Sequence, residues 1–432
     1  MLIEFNVTNF RSIRETQSLT MTASKYYKEH VAQNSFETGI PGMPRLLRSA
    51  VIYGPNAAGK STLVMALSFM KTMVIDSAKE SQEGEDITVT PFRLDASTRE
   101  KESEFEIFFV EDSVRYQYGF TVNKTRVLRE WMIAYPKGRP QHWFEREYDE
   151  SEDQDNYVFG EMFLGGRRRD DWKQSTRKNA LFFSTAILLN NEQLKYAFHW
   201  FQNRLTVLKP HTQLGPGYTA VKCEAEKSKN EILDFLNTAD LGIADIIVKR
   251  SNFLDKLKIE LPVQIRDQMK KAFEGKEIFD IKFVHKLNDS NENVVFDSDD
   301  ESDGTRNLFS FAGPWLDVIE HDKVLVVDEL DTSLHPKIVH HLIELLHFDG
   351  IKHAQILFTT HDTTILSQPI MRRDQIWFVD KKDQSTQLYP FSDFKVREKE
   401  AWEKAYLHGR YGAIPLTRTV MKHGDDIPIT RG

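Results

Sequence analysis

The run Gly54-Pro55-Asn56-Ala57-Ala58-Gly59-Lys60-Ser61-Thr62 constrains this chain more than any other feature. It has the spacing G-x-x-x-x-G-K-[ST]. The residues before it, Ser-Ala-Val-Ile-Tyr at 49–53, form a short apolar strand pattern, and Leu63 to Met73 behind it have helical spacing without Pro or Gly. A strand, a glycine-rich turn and a helix N-terminus together aim backbone N–H groups at an anion. Gly54 and Gly59 let the backbone approach phosphates with no Cβ in the way. Lys60 reaches the β- and γ-phosphates, and the Ser61 hydroxyl is placed to ligate Mg²⁺. Asn56, Ala58 and Thr62 complete the residues expected around a nucleoside triphosphate.

At 432 residues the chain suits two lobes or one elaborated domain. Its 40% hydrophobic and 28% charged content is that of an ordinary globular protein. A formal charge of −8 argues against coating DNA through global basicity, though a local basic patch is still compatible with it. The single cysteine, Cys223, excludes an internal disulfide and a cysteine-rich zinc site, and fits a reducing cytoplasm. The opening MLIEFNVTNFRSIRE lacks the pattern of a signal peptide. No apolar run approaches the roughly 18 residues that cross a bilayer. A soluble cytoplasmic protein, away from membranes, is expected.

Along the chain, residues 1–10 alternate as a strand, and 11–48 read as a polar connection. After the phosphate-loop unit, 75–90 read as a loop. Phe105, Ile107 and Phe109, then Val114, Tyr116, Tyr118, Phe120 and Val122, alternate as two antiparallel strands. Residues 145–178 are charged and irregular. Helical patterns fall near 190–208, 228–241 and 262–274, none of them continuing as heptads. From 279 onward, IKFVHKL, NVVF, KVLVVDE, AQILFTT and QIWFVD alternate with helices starting near 305 and 336. Continuous apolar strands separated by helices predict a largely parallel sheet covered on both faces.

Three further pieces stand behind the phosphate loop. Val324-Leu325-Val326-Val327 is a buried strand delivering Asp328 and Glu329 at its carboxyl edge. There Asp328 would orient Mg²⁺ and Glu329 would polarise an attacking water as general base. Glu301-Ser302-Asp303-Gly304-Thr305-Arg306 opens a helix, with Ser302 as its cap and Gly304 permitting close backbone approach. Thr359-Thr360-His361-Asp362 closes another apolar strand, and His361 at that edge suits a γ-phosphate or the attacking water. Leu330 to Pro336 links the acidic strand to the next helix.

Taken together, these motifs resemble the ATP-binding-cassette ATPases of the SMC, RecF and OLD group. The group has a G-x-N-x-x-G-K-[ST] loop, a serine-glycine signature helix, hhhhDE, a D-loop and a switch histidine. Asn9-Phe10-Arg11-Ser12-Ile13 resembles the group's first strand and loop, where Arg11 would approach the nucleotide. Asp303 stands where transporter signatures carry a second glycine, and the strand TPFRL carries no glutamine. The ending Tyr406-Leu407-His408-Gly409-Arg410-Tyr411-Gly412-Ala413-Ile414-Pro415 resembles stand-alone bacterial AAA/ABC ATPases of phage-defence operons, of the RloA, AriA and PtuA kind.

The resemblance implies an α/β fold: an ABC-type P-loop NTPase with a mostly parallel core sheet, an antiparallel β portion and an inserted mainly helical lobe. The expected division is 1–124 and 279–432 as the two halves of the ATPase core, with 125–278 as the inserted lobe. It also implies ATP and Mg²⁺ as cofactors, ATP hydrolysis, and a head-to-tail dimer or higher homo-oligomer. In that dimer Lys60, Ser61, Asp328 and Glu329 of one subunit would face Ser302 and Gly304 of the other. About fifty residues follow Asp380, too few for the Toprim nuclease domain of OLD proteins.

The favoured function is therefore a sensor or regulator of a separate effector, a nuclease or toxin, in anti-phage defence, triggered by DNA or a phage protein. The alternatives are a DNA-repair clamp using Arg167-Arg168-Arg169 and Arg204 to Lys209 on phosphates, or an ATP-binding scaffold with negligible turnover.

Overall fold

A computed structural model describes residues 1–208, 215–239, 241–251, 278–287, 292–332, 334–348, 350–397 and 400–415. A six-stranded sheet gathers distant pieces of chain: β5 (Ser49–Tyr53), β11 (Leu205–Leu208), β15 (Val324–Val327), β16 (Gln355–Thr359), β17 (Ile376–Lys382) and β18 (Ser385–Pro390). Their order is β11-β15-β16-β5-β17-β18. The first five run parallel, and β18 returns antiparallel beside β17. The fold is α/β.

The continuous apolar runs of these strands follow from burial on both faces. Successive side chains point to opposite sides, so each strand divides itself between two cores. Ala50 and Ile52 of β5, Val324 and Val326 of β15, and Trp377 and Val379 of β17 enter one core. Val51 and Tyr53, Leu325 and Val327, and Ile376 and Phe378 enter the other. The first core holds the phosphate-loop helix, Lys60–Asp76, clamped between the parallel sheet and a seven-stranded antiparallel one. A helix so placed is apolar round most of its girth, as Leu63, Val64, Ala66, Leu67, Met70, Met73 and Val74 are.

The antiparallel sheet runs β10-β9-β8-β7-β6-β1-β2. Its strands are β1 (Leu2–Thr8), β2 (Gln17–Thr20), β6 (Ser103–Glu111), β7 (Val114–Val122), β8 (Val127–Tyr135), β9 (Gln141–Asp149) and β10 (Gln154–Phe159). One carboxylate is sealed against it. Glu130 of β8 is fully buried and accepts the N–H groups of Phe182 (2.6 Å) and Phe183 (2.9 Å) and the Tyr118 hydroxyl (3.0 Å). It thereby satisfies the first donors of the helix Phe182–Leu188, whose own N-cap, Leu181, has no side-chain acceptor. Burial pushes the Glu130 carboxyl upward in pKa, opposed by the neighbouring Arg146 guanidinium.

The second core holds the helices Asp303–Glu320 and Pro336–Leu346 and the chain end around Trp402, Tyr406 and Tyr411. Pro314 lies inside the first of these helices, so the Ser310 carbonyl loses its intrahelical partner. Thr219 repairs the gap. Its hydroxyl donates to Ser310 O (3.2 Å) and accepts from Gly313 N (3.1 Å).

Several expectations change. IKFVHKL and NVVF do not join the parallel sheet: β13 (Ile278–Lys286) pairs antiparallel with β12 (Ile243–Ser251) on one side and with β14 (Asn293–Asp297) on the other, in a separate three-stranded sheet. The edge strand β14 leaves Asn293 and the adjacent Val295 and Phe296 exposed, which a doubly covered central strand would not. The helical pattern at 190–208 splits into a short helix (Lys195–His199), a π-turn (Trp200–Arg204) and β11, because the edge of β15 captures Leu205–Leu208 as a parallel strand. Residues 11–48 include β2, β3 (Ser35–Phe36) and β4 (Leu46–Leu47), and 145–178 include β10 and the helix Arg168–Ser175. The span from 125 to 278 carries helices and also strands of all three of these sheets. The pattern at 262–274 lies outside the described residues.

Candidate functional site

Parallel strands end on the same side, so β15, β16 and β5, adjacent in that order, deliver their following loops to one edge. Those loops are Asp328-Glu329, Thr360-His361 and the phosphate loop. The phosphate loop turns through Ala57 (φ 62°) and Gly59 (φ 117°) before the helix starts at Lys60. A Cβ on Gly59 would lie 2.1 Å from the Thr386 hydroxyl oxygen, so glycine is required there twice over. Gly54 is equally confined, with the Val379 carbonyl oxygen 2.3 Å from any added Cβ.

Lys60 is buried, and its ammonium donates to the Gly54 carbonyl (2.7 Å) and, more weakly, to the Pro55 carbonyl (3.4 Å). Burial lowers its pKa, while Asp328, Glu329 and Asp331 pull it back up. An ammonium held over its own loop by two neutral carbonyls has its charge uncompensated at contact distance, which suits a polyphosphate. Asn56 is exposed, Ala58 and Thr62 are buried, and Ser61 is half-buried.

Across from the loop, Asp328 is buried, and its Oδ1 accepts the Thr359 hydroxyl (2.6 Å). Its Oδ2 is buried with no hydrogen-bond partner. An orphaned carboxylate oxygen is costly unless something cationic or water-bearing meets it, so Asp328 together with the Ser61 hydroxyl suits Mg²⁺. Glu329 adopts a left-handed backbone (φ 53°), its N–H donates to Thr359 Oγ1 (2.7 Å), and the side chain stays partly exposed. The His361 residue is exposed, and its backbone N–H donates to the Asp331 carboxylate (3.2 and 3.3 Å).

Arg11 sits in a tight turn with Asn9, both at φ 52°. The turn is tied to the phosphate loop by a chain of hydroxyls: Ser12 meets Thr62 (2.9 Å) and Thr386 (2.8 Å), and Thr386 donates to the Ala58 carbonyl (2.9 Å). The exposed Arg11 places its guanidinium beside the Phe10 ring, and its backbone N–H donates to the Thr90 carbonyl of the TPFRL segment (2.7 Å). Ser302 caps the helix Asp303–Glu320 by accepting from Thr305 N (3.1 Å), with Gly304 in its first turn. Among the described residues, no hydrogen bond joins Ser302 or Gly304 to the phosphate loop, Asp328 or Glu329. Within one chain the phosphate loop, Asp328, Glu329 and His361 thus follow neighbouring strands at one sheet edge, with the Arg11 turn tied to the loop, while Ser302 and Gly304 open the helix Asp303–Glu320.

Sequence reasoning assigned no role to Ser12 or Thr359 and passed over Thr386. Ser12 and Thr359 lie beside residues already singled out, but a hydroxyl's partner across a sheet has no signature in one sequence. Three of the arginines offered for phosphate contacts, Arg168, Arg169 and Arg204, are engaged within the chain. Arg168 lies over Trp172 and donates to Leu189 O (2.8 Å), Arg169 lies over Phe159 and Phe163, and Arg204 meets Glu111 (3.2 Å) and the His321 carbonyl.

Residues 49–171 and 224–367, more than half of the chain, match the family described as "AAA domain, putative AbiEii toxin, Type IV TA system", and the chain belongs to that family. It therefore carries an AAA-type ATPase domain. No curated protein matches it. Among solved structures, it is similar to an SMC head bound to the C-winged helix domain of ScpA (10% identity over 90% of this chain and 97% of that one, TM-score 0.39). It is also similar to the SMC head domain from Thermotoga maritima (12% identity, 91% and 99% covered, TM-score 0.39). No helix among the described residues is long and apolar enough to cross a membrane.

Proposed function

We propose that this protein binds ATP with Mg²⁺ and hydrolyses it to ADP and phosphate, and that this cycle regulates a separate effector, a nuclease or toxin, in anti-phage defence. The carrying observation is the convergence of the phosphate loop, Asp328 and Glu329 on the adjacent carboxyl ends of β5 and β15, with β16 between them.

In this reading the N–H groups from Gly54 to Ser61 cradle the phosphates, and Lys60 exchanges the Gly54 carbonyl for phosphate oxygens. Asp328 and Ser61 would hold Mg²⁺, which when bound neutralises charge on the β- and γ-oxygens. Glu329 takes the proton of the attacking water, and His361 contacts the γ-phosphate or that water. Arg11 borders the nucleotide. Ser302 and Gly304 reach it from a second copy of the chain in a head-to-tail dimer, with the helix N-terminus facing the γ-phosphate. The resemblance of the chain's ending to defence ATPases supports the regulatory role. A trigger of DNA or phage protein would act by changing the rate of hydrolysis.

The test is phosphate release by wild type and Glu329→Gln, with mass measured by light scattering. Turnover should fall by about 10²–10⁴-fold in the variant, with ATP-bound dimers accumulating. Wild type releasing no phosphate above the variant's rate rejects the hydrolase reading and leaves a scaffold. Dimers forming equally without ATP reject the composite site. Co-purification from native cells tests the effector, and recovery of the protein without a nuclease or toxin counts against the defence role.

A further inference from the structure

Thr359 is fully buried at the end of β16, between β15 and β5, and one hydroxyl serves both acids of the next strand. Its proton goes to Asp328 Oδ1 (2.6 Å), while its lone pair receives the Glu329 N–H (2.7 Å). The Thr359 backbone carbonyl accepts a third bond, from Leu330 N (3.0 Å). Glu329 is held in a left-handed conformation that a non-glycine residue adopts at a cost, and such strain persists only where surrounding contacts enforce it.

We infer that Thr359 is a positioning residue for the metal and the general base, an inference that rests on the ATPase reading. Fixing Oδ1 leaves Asp328 one free oxygen, the buried and partnerless Oδ2, which would be the one to meet a metal. Fixing the Glu329 N–H sets the direction in which the general-base side chain leaves the strand. A valine at 359 would keep the shape of the side chain and remove the proton and the lone pair together.

The experiment titrates Mg²⁺ against ATP binding and against phosphate release in wild type, Thr359→Val and Thr359→Ser. Outer-shell partners of metal sites typically carry about 10- to 100-fold in metal affinity or activity. The Mg²⁺ needed for half-maximal ATP binding should rise by that factor in Thr359→Val and return to within about twofold of wild type in Thr359→Ser. ATP binding in EDTA, which depends on Lys60 and the loop N–H groups, should not move. A purely structural role would lower the unfolding midpoint and the fraction of binding-competent molecules without changing the Mg²⁺ half-saturation. Thr359→Val titrating like wild type overturns the inference even if turnover falls. If valine unfolds the strand, Thr359→Ala supplies the same titration. Wild type that binds no ATP at all overturns the ATPase reading and this inference together, whereas normal wild-type binding with an unchanged valine variant overturns this inference alone.

Discussion

The carboxyl edge of the parallel sheet and the interior of the antiparallel sheet both bury carboxylates, and they treat them differently. Glu130, inside the antiparallel sheet, has its donors around it: two backbone N–H groups and a phenol, with Arg146 nearby. Asp328, at the edge of the parallel sheet, has one oxygen bonded and the other left over. A satisfied buried carboxylate is structural, whereas a half-satisfied one is a place for something else to bind. Fold energy is concentrated in one region and chemical capacity in the other.

Substitutions can break that contrast. Glu329→Gln should give the largest effect, the loss of turnover described above, with an unfolding midpoint indistinguishable from wild type. A matching drop in stability would mean the edge is also structural. Glu130→Ala should do the reverse, costing about 3 kcal/mol of folding free energy in denaturant titration because the Phe182 and Phe183 N–H groups and the Tyr118 hydroxyl lose their buried acceptor. The molecules still folded should bind ATP as wild type does. Lys60→Ala should weaken ATP binding by about 10- to 100-fold, as expected for lost charge-assisted bonds. It should leave stability unchanged, because the ammonium contacts only carbonyls of its own loop.

The smallest effect concerns pH at the amino ends of the same parallel strands. His347 is buried against the Ser49 hydroxyl (2.9 Å), and burial lowers its pKa to about 3. The imidazole is therefore neutral in the folded chain, while the unfolded chain takes up its proton near pH 6.5. Stability from this residue is complete above pH 6.5 and declines by roughly 1.4 kcal/mol per pH unit below it, until the folded group also titrates near pH 3. His347→Gln should flatten the acid limb of the stability profile by about 2 kcal/mol at pH 5. An unchanged limb would show that the ring is solvated.

Legibility in the sequence followed locality. Gly54 to Thr62, Asp328 with Glu329, Ser302 as a cap and the helices near 305 and 336 were readable, because each depends on neighbours within a few residues. The fate of Leu205–Leu208 was not, since a helical pattern lost to the free edge of β15. Nor was that of β13 and β14, whose short apolar runs read alike in parallel and antiparallel sheets. The roles of Thr359 and Thr386 were invisible for the same reason: what matters about each is a partner brought beside it from a distant part of the chain.

By itself, the sequence determined that the chain holds a phosphate loop on a strand–turn–helix unit, a second acidic strand and a third strand ending in histidine. These are local patterns of backbone freedom, periodicity and charge. The tertiary structure decided that the three strands lie side by side as β15, β16 and β5, so that residues some 270 positions apart meet at one edge. It also decided that a hydroxyl from the middle strand orients both acids. Strand order and cross-strand hydrogen bonds are set by which faces can be buried together, and that is a property of the assembled layers.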